Sequence, residues 1–174
     1  MRSHVKLIIF DAGDVIYDTK KSQQIFFKEY EKFLKKFGKS PKETKRIWEK
    51  LYPKLLRGRI SLREVKKLEF EKMKIPKQKL NEWLRTNKEI KLNYTKPIKG
   101  AKRILFQLKK LGLKIAILSD TVLPQAWRNE MFNKIGIMKG KHYDKRFDSN
   151  VIGFAKPDEW AYRTVLKYFN VKPR

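Results

Sequence analysis

Three polar side chains in this sequence follow predicted strands at the points where those strands end. Asp11 comes directly after a short apolar run, Ser119 ends a second run, and Lys156 follows a third, weaker strand signal. Ligands of open parallel sheets bind outside the carboxyl ends of the strands, so these three groups are expected to share one crevice. A carboxylate there can be a nucleophile or metal ligand, a hydroxyl can hold a phosphate oxygen, and an ammonium can offset developing charge. The combination suits phosphoryl transfer, although singly each residue also has a structural explanation, as turn former, helix cap or surface lysine.

Short apolar runs bounded by turn signals predict the strands that position these residues. The first run, VKLIIF, is interpreted as a buried strand that delivers Asp11 to a tight turn at Gly13. The second run covers residues 113–118, and the third signal lies at 147–152. Helical periodicity separates the runs and follows the last of them. This alternation predicts an α/β fold with a Rossmann-like, three-layer parallel sheet.

Residues 19 to about 95 carry only helical patterns. Ser40 and Ser61 each open a capping box, and the helix after Ser61 has a predicted apolar stripe of Leu62, Val65, Leu68 and Phe70. Aromatic residues in this region recur at core spacing, which favours packing over a cofactor role. We therefore predict an all-helical cap at 19–95, inserted after the first strand of a core formed by 1–18 and 96–174.

Length and composition exclude several classes of protein. A chain of 174 residues with 41% apolar content fits one domain of ordinary size. No apolar run approaches the roughly 18 residues of a membrane span, and the first run is too short for a secretory signal, so we expect a soluble cytoplasmic protein. The absence of cysteine excludes disulfides, thiolate metal sites and cysteine nucleophiles.

The net charge is unusually high, with 44 Lys+Arg against 18 Asp+Glu for a formal +26. Such a charge can attract phosphate-bearing partners, nucleic acid included. The lysines are spread over almost every predicted helix, however, as expected of a solvated, Lys-rich surface. Charge alone therefore makes a dedicated nucleic-acid site the less favoured interpretation.

Together these residues resemble the haloacid dehalogenase superfamily, most closely its members with a helical cap between the first two motifs. KLIIFDAGDVIYD is similar to the first motif, KIAILSDT to the second and GFAKPDEWAY to the third, in that order along the chain. The helix before the second motif and a GRIS turn within the insert also resemble the family. Three motifs in order are far more specific than any one of them.

The resemblance implies a role for each matching residue. Asp11 is the nucleophile that forms an aspartyl-phosphate and, with the Gly13 carbonyl, binds Mg²⁺. Ser119 and the backbone beside Asp120 hold the transferring group, and Lys156 offsets charge on the nucleophile and phosphoryl group. The substrate implied is a small phosphorylated metabolite chosen by the cap, so 19–95 is the expected specificity module.

The sequence departs from the family pattern at two places. Phosphatases of this family usually carry a second aspartate, a general acid and base, where Gly13 stands. Asp14 is adjacent, but a shift of one residue points its side chain elsewhere, and aspartate there suits a left-handed backbone. The chain also stops before a fourth motif with further acidic metal ligands, so we expect a shortened version of a longer protein whose Mg²⁺ site has Asp11, the Gly13 carbonyl and water.

Two alternatives to a phosphatase remain open. A 2-haloacid dehalogenase uses the same aspartate to attack carbon and needs neither metal nor second aspartate, but such enzymes usually have tyrosine in place of Gly13. A catalytically degenerate member could instead bind nucleic acid or another polyanion through the basic surface. His4 and His142, the two histidines, are predicted to be surface residues without a role.

Overall fold

The computed structural model describes residues 5–172, which alternate between strands and helices. In chain order the elements are β1 (Leu7–Phe10), β2 (Tyr17–Asp18), α1 (Lys20–Lys35), α2 (Lys45–Leu56), α3 (Leu62–Lys72), α4 (Lys79–Tyr94), β3 (Lys96–Pro97), α5 (Ala101–Lys110), β4 (Lys114–Ser119), α6 (Gln125–Lys134), β5 (Lys145–Asp148), α7 (Ser149–Ile152) and α8 (Glu159–Phe169). None of the helices in this described range is long and apolar enough to cross a membrane.

The main sheet has three parallel strands in the order β1-β4-β5. Residues of β4 alternate between its two faces, as in any strand. Ile115 and Ile117 pack with side chains of α5 and α6, whereas Ala116 and Leu118 pack against α8. Helices therefore cover both faces, which confirms the predicted Rossmann-like three-layer architecture.

Two strand predictions were wrong in detail. All side chains of β1 are half-buried and not fully buried, because β4 is its one partner within residues 5–172 and β1 lies at the edge of the sheet. The strand predicted at 147–152 ends at Asp148, and a single helical turn, α7, follows. The Ser149 hydroxyl accepts a hydrogen bond from the Thr121 amide (3.0 Å), and Gly153 ends the turn with a φ of 83°.

His142 is a further correction, because it is buried and not on the surface. Its Nδ1 accepts a hydrogen bond from the Met138 amide (3.1 Å), and its ring lies beside Phe106. Burial and the neighbouring positive charge of Lys141 lower the pKa of the imidazole. The residue therefore closes the loop before β5 as a neutral side chain. His4, the other histidine, lies outside the described residues.

The insert between β2 and β3 is wholly helical and contains α1 to α4 with one 3-10 turn before α2. It confirms the predicted all-helical cap, while the exact boundaries of 19–95 stay a prediction. The capping box at Ser61 is present, with the hydroxyl accepting from the Glu64 amide. Pro53 lies inside α2, which continues to Leu56.

The apolar stripe predicted for α3 is partly wrong. Leu68 is 42% exposed, whereas Lys66 and Glu69 are only 3% and 1% exposed and point into the cap. Lys66 Nζ lies 2.6 Å from Glu69 Oε2, which also accepts from the Tyr30 hydroxyl (2.9 Å). The Lys66 ammonium lies over the rings of Tyr30 and Trp48. A charge pair inside an aromatic cluster is therefore buried at two positions that lie outside the predicted apolar stripe.

Removal of one member of this pair is expected to destabilise the cap strongly. Glu69→Gln leaves the Lys66 ammonium buried without a counter-ion, and the free energy of unfolding should fall by about 3–5 kcal/mol. The double variant Lys66→Met with Glu69→Gln removes both charges and keeps an acceptor for Tyr30, so it should regain most of the loss. Urea denaturation of the three proteins measures both changes; a double variant as unstable as the single one would contradict the prediction.

The cap joins the core through two short strands that lie side by side. β2 enters the cap and β3 leaves it, and they pair antiparallel, with Tyr17 opposite Pro97 and Asp18 opposite Lys96. The Ile98 amide donates to the Ile16 carbonyl (2.9 Å) and extends this ribbon into the core. Both crossings of the chain between core and cap are therefore tied together.

A second contact between cap and core lies at the turn between α2 and α3. The backbone of Gly58 lies so close to α7 that a Cβ there would be 2.0 Å from the carbonyl oxygen of Asn150. The φ of Gly58 is +66°, a conformation that glycine adopts without strain. Both the close approach and the backbone conformation therefore require glycine at this position.

Candidate active site

A pocket of about 390 Å³ lies at the carboxyl end of the sheet, between the core and the cap. All five residues predicted from the sequence line it: Asp11, Gly13, Ser119, Asp120 and Lys156. They reach it from three separate segments, which the parallel order β1-β4-β5 brings to one edge. This is the place where an open α/β sheet binds its ligands.

Asp11 and Lys156 form the centre of the pocket. Lys156 Nζ lies 2.9 Å from Asp11 Oδ1, and that oxygen also accepts from the Ala12 amide at 2.7 Å. The Asp11 side chain is 46% exposed and the Lys156 side chain 22%, so the carboxylate is open to the pocket while the ammonium is held behind it. A fixed, accessible carboxylate beside a cation is suited to attack an electrophile that carries negative charge.

The loop after β4 places a hydroxyl and backbone groups beside this pair. Ser119 is buried at the end of β4 and borders the pocket. The Asp120 carboxylate accepts from the Lys156 amide (3.0 Å), and Lys156 Nζ donates to the Leu118 carbonyl (3.4 Å). These two hydrogen bonds join the loop after β4 to the segment that carries Lys156. They hold the Ser119 hydroxyl and the Lys156 ammonium on the same side of the pocket.

The turn after Asp11 explains Asp14 but does not require glycine at position 13. Asp14 has a φ of 57°, and its carboxylate accepts from the Thr19 amide (2.9 Å) and hydroxyl (3.0 Å). Its side chain is therefore held by the turn, as the left-handed backbone expected there allows, and does not replace the missing acid. A Cβ on Gly13 would lie 3.4 Å from Thr19 Cγ2, an ordinary contact, so the position has room for a side chain.

The oxygen ligands near Asp11 fit a magnesium ion held partly by water. Within residues 5–172 no group of three His, Asp or Glu side chains is placed to hold a metal ion. Mg²⁺ usually keeps several waters and takes one or two carboxylates together with substrate phosphate oxygens. The accessible Asp11 carboxylate and the nearby Gly13 carbonyl can supply that minimum donor set.

Arg128 is a pocket residue that sequence reasoning missed. Its guanidinium is buried and donates to the Tyr17 hydroxyl and to the Asp148 carboxylate (3.1 Å). Arg146 donates to the other oxygen of Asp148 at 2.8 Å, so two arginines share one carboxylate. This network joins β2, α6 and β5 beneath the pocket. Arginine in a Lys- and Arg-rich chain gives no signal of burial, so the sequence could not have identified it.

Six residues of the insert 19–95 line the pocket, and the sequence predicted none of them. They are Thr19, Ser22, Gln23, Tyr52, Lys91 and Thr95. Burial and the negative charge of Asp120 raise the pKa of Tyr52, which keeps its hydroxyl protonated as a donor. Lys91 is the charged member of the set. Prediction of these residues requires the packing of α1, α2 and α4, which spacing along a helix does not determine.

A sequence model of haloacid dehalogenase-like hydrolases matches residues 5–174. A search of curated proteins found no match.

Several solved structures share the fold. A protein from Thermotoga maritima, provisionally assigned as a β-phosphoglucomutase, is 22% identical over 97% of this chain and 72% of its own, with a TM-score of 0.64. A HAD family enzyme from Bacteroides thetaiotaomicron, solved with magnesium and inorganic phosphate, is 14% identical over 96% and 80%, with a TM-score of 0.64. L-2-haloacid dehalogenase from Xanthobacter autotrophicus, with chloropropionic acid covalently bound, is 17% identical over 98% and 67%, with a TM-score of 0.60.

Proposed function

Because this chain belongs to the haloacid dehalogenase-like hydrolase family, we propose that it is a cytoplasmic, Mg²⁺-dependent phosphatase of a small phosphorylated metabolite. The observation that carries the proposal is the Asp11–Lys156 pair in a pocket bordered by the Ser119 hydroxyl. A carboxylate, an ammonium and a hydroxyl on one crevice are the groups that phosphoryl transfer through an aspartyl-phosphate needs.

Asp11 supplies the nucleophile in this reaction. A carboxylate oxygen attacks phosphorus in line with the leaving oxygen; the new O–P bond forms while the bond to the leaving group breaks, and the leaving oxygen takes a proton from solvent water. Water then attacks the aspartyl-phosphate, which returns the free carboxylate and releases inorganic phosphate. The exposure of Asp11 to the pocket supports this role, because an in-line approach requires an open face of the carboxylate.

Lys156, Ser119 and Asp120 hold the transferring group. The ammonium of Lys156 offsets negative charge as the phosphoryl group approaches the carboxylate, and the Ser119 hydroxyl and the backbone beside Asp120 bind its oxygens. Mg²⁺, held by Asp11 and the Gly13 carbonyl, supplies further charge neutralisation when bound. The cap covers these groups, excludes water and contributes the contacts that select the substrate.

Hydrolysis of a generic aryl phosphate tests the proposal. We expect turnover in millimolar Mg²⁺ that disappears when EDTA removes the metal and returns when Mg²⁺ is added in excess, because the phosphate carries charge that Lys156 alone does not neutralise. Thermal unfolding with and without EDTA serves as the control for loss of structure. Equal rates in Mg²⁺ and EDTA would exclude a metal-dependent phosphatase.

A 2-haloacid dehalogenase is the second candidate, supported by the small donor set for a metal, because that reaction needs neither a metal nor a second aspartate; Gly13 stands where such enzymes usually have tyrosine. In that reaction Asp11 attacks the carbon that carries the halogen, halide leaves, and water hydrolyses the ester. Chloride release from 2-chloropropionate in EDTA, without hydrolysis of aryl phosphate, would assign this activity instead.

A further inference from the structure

Lys91 differs from the other cations of the pocket because it has no carboxylate partner. Lys156 pairs with Asp11 and Arg128 with Asp148, but no carboxylate oxygen of residues 5–172 lies within 4.0 Å of Lys91 Nζ. The side chain projects from the last turns of α4 and lines the pocket from the cap side.

The surroundings of Lys91 remove water from its ammonium and provide an aromatic ring, but no carboxylate among residues 5–172, in exchange. The side chain is half-buried, and its Nζ lies 5.3 Å from the centre of the Phe26 ring. Burial lowers the pKa of its ammonium, and no neighbouring acid counteracts the effect. The exposed lysines of this chain stay hydrated, whereas Lys91 loses hydration inside the pocket that contains the proposed nucleophile. An anion bound in the pocket would recover that lost interaction energy.

We propose that Lys91 binds a second anionic group of the substrate, a carboxylate or a second phosphate, at the end remote from the phosphoryl group bound at Asp11. This inference rests on the proposed phosphatase function and narrows its substrates to small phosphorylated acids and bisphosphates. The division of cations supports it: Lys156 faces the reacting phosphoryl group from the core, and Lys91 faces the rest of the substrate from the cap. The remaining cap residues at the pocket offer only neutral polar groups; they are Thr19, Ser22, Gln23, Tyr52 and Thr95.

The test compares three probes that share a three-carbon chain: propyl phosphate, 3-phosphooxypropanoate and propane-1,3-diol bisphosphate. Dissociation constants are measured by calorimetry in Mg²⁺ with Asp11→Asn protein, in which no turnover disturbs the binding. The carboxylate or the second phosphate should strengthen binding at least about tenfold over propyl phosphate. A larger increase in affinity for 3-phosphooxypropanoate would indicate a phosphorylated acid as substrate, and a larger increase for propane-1,3-diol bisphosphate would indicate a bisphosphate.

Lys91→Gln, introduced into the Asp11→Asn protein, should abolish the increase in affinity that the second anionic group gives over propyl phosphate. The affinity for propyl phosphate itself should stay nearly unchanged. Lys91→Arg should retain most of the increase. Lys88→Gln is the matched control, because Lys88 lies on the same helix but pairs with Glu130 outside the pocket (2.5 Å). The test uses the ratio of the dissociation constants of two probes within one variant. A general loosening of the cap would weaken all probes alike and leave this ratio unchanged.

The outcomes separate this inference from the proposed function. Binding of propyl phosphate without any gain from a second anionic group, or a gain that survives Lys91→Gln, would overturn the role of Lys91 and leave the phosphatase proposal intact. If none of the three probes binds, the role of Lys91 fails, whereas the phosphatase proposal is decided separately by aryl phosphate hydrolysis with the unmodified protein.

Discussion

Asp11→Asn should abolish phosphate ester hydrolysis, with a loss of roughly 10⁴- to 10⁶-fold in rate, the range seen when a catalytic nucleophile is removed. The amide keeps an oxygen acceptor for the Ala12 amide and Lys156, so the pocket should retain its geometry. A neutral amide is a far weaker nucleophile than a carboxylate. Initial rates with an aryl phosphate at saturating Mg²⁺ measure the effect.

Asp14→Asn is the matched control for this variant. It removes a carboxylate from the same turn and the same pocket, but that carboxylate is held by Thr19 and has no proposed role in the reaction. Its effect should be small by comparison. Equal losses in the two variants would show that negative charge, and not the nucleophile, matters at this turn.

Asp11→Asn also tests the alternative that the protein binds a polyanion through its basic surface. A protein that works through its basic surface should bind RNA or DNA with a steep dependence on salt, and Asp11→Asn should leave that binding unchanged. Such binding, together with an absence of hydrolysis in the unmodified protein, would replace the phosphatase proposal.

Gly13→Asp should raise the rate of phosphate ester hydrolysis by about 10²- to 10⁴-fold, the usual contribution of a general acid and base. The position lies two residues after the proposed nucleophile and borders the pocket. Its backbone has no positive φ, and a Cβ there meets only Thr19 at ordinary contact distance. A carboxyl group at 13 can therefore be introduced without backbone strain, and it can protonate the leaving oxygen.

Gly13→Asn controls for the size and polarity of the new side chain. It should not accelerate the reaction, because an amide cannot transfer the proton. The dependence of kcat on pH gives a second measurement, since the acceleration in Gly13→Asp should follow the ionisation of the added carboxyl group. An asparagine variant as fast as the aspartate variant would rule out proton transfer as the cause.

The core of the site was predictable from sequence because its residues follow strands. Asp11 and Ser119 each lie at the end of an apolar run, and parallel strands bring their carboxyl ends to one edge. Lys156 was found in the same way, even though the strand before it ends at Asp148 and a helical turn intervenes. Strand order thus determines this half of the pocket more than the exact strand boundaries do.

The other half of the pocket depends on tertiary packing. Lys91 and Arg128 are two cations among 44 Lys+Arg, and their sequence neighbours do not distinguish them from solvated ones. The Lys66–Glu69 pair shows the same limit, because a periodicity argument assigns charged residues to the surface while this pair is buried. Hydrophobic spacing predicts where helices lie along the chain. It does not predict which charged side chains pair, because that depends on how the helices pack against each other.

The pairing of β2 with β3 also determines how the pocket can open. Both connections between core and cap run through one two-stranded ribbon, so a hinge motion of the cap would rotate about this ribbon. The backbone dihedral changes of such a motion would fall on a few residues beside it. The contact between Gly58 and Asn150 is a further link between cap and core, so any movement that separates α2 from α7 must break it. Substrate entry and phosphate release would both require this cap movement. A substitution at the Gly58–Asn150 contact should therefore alter the rates of both steps together.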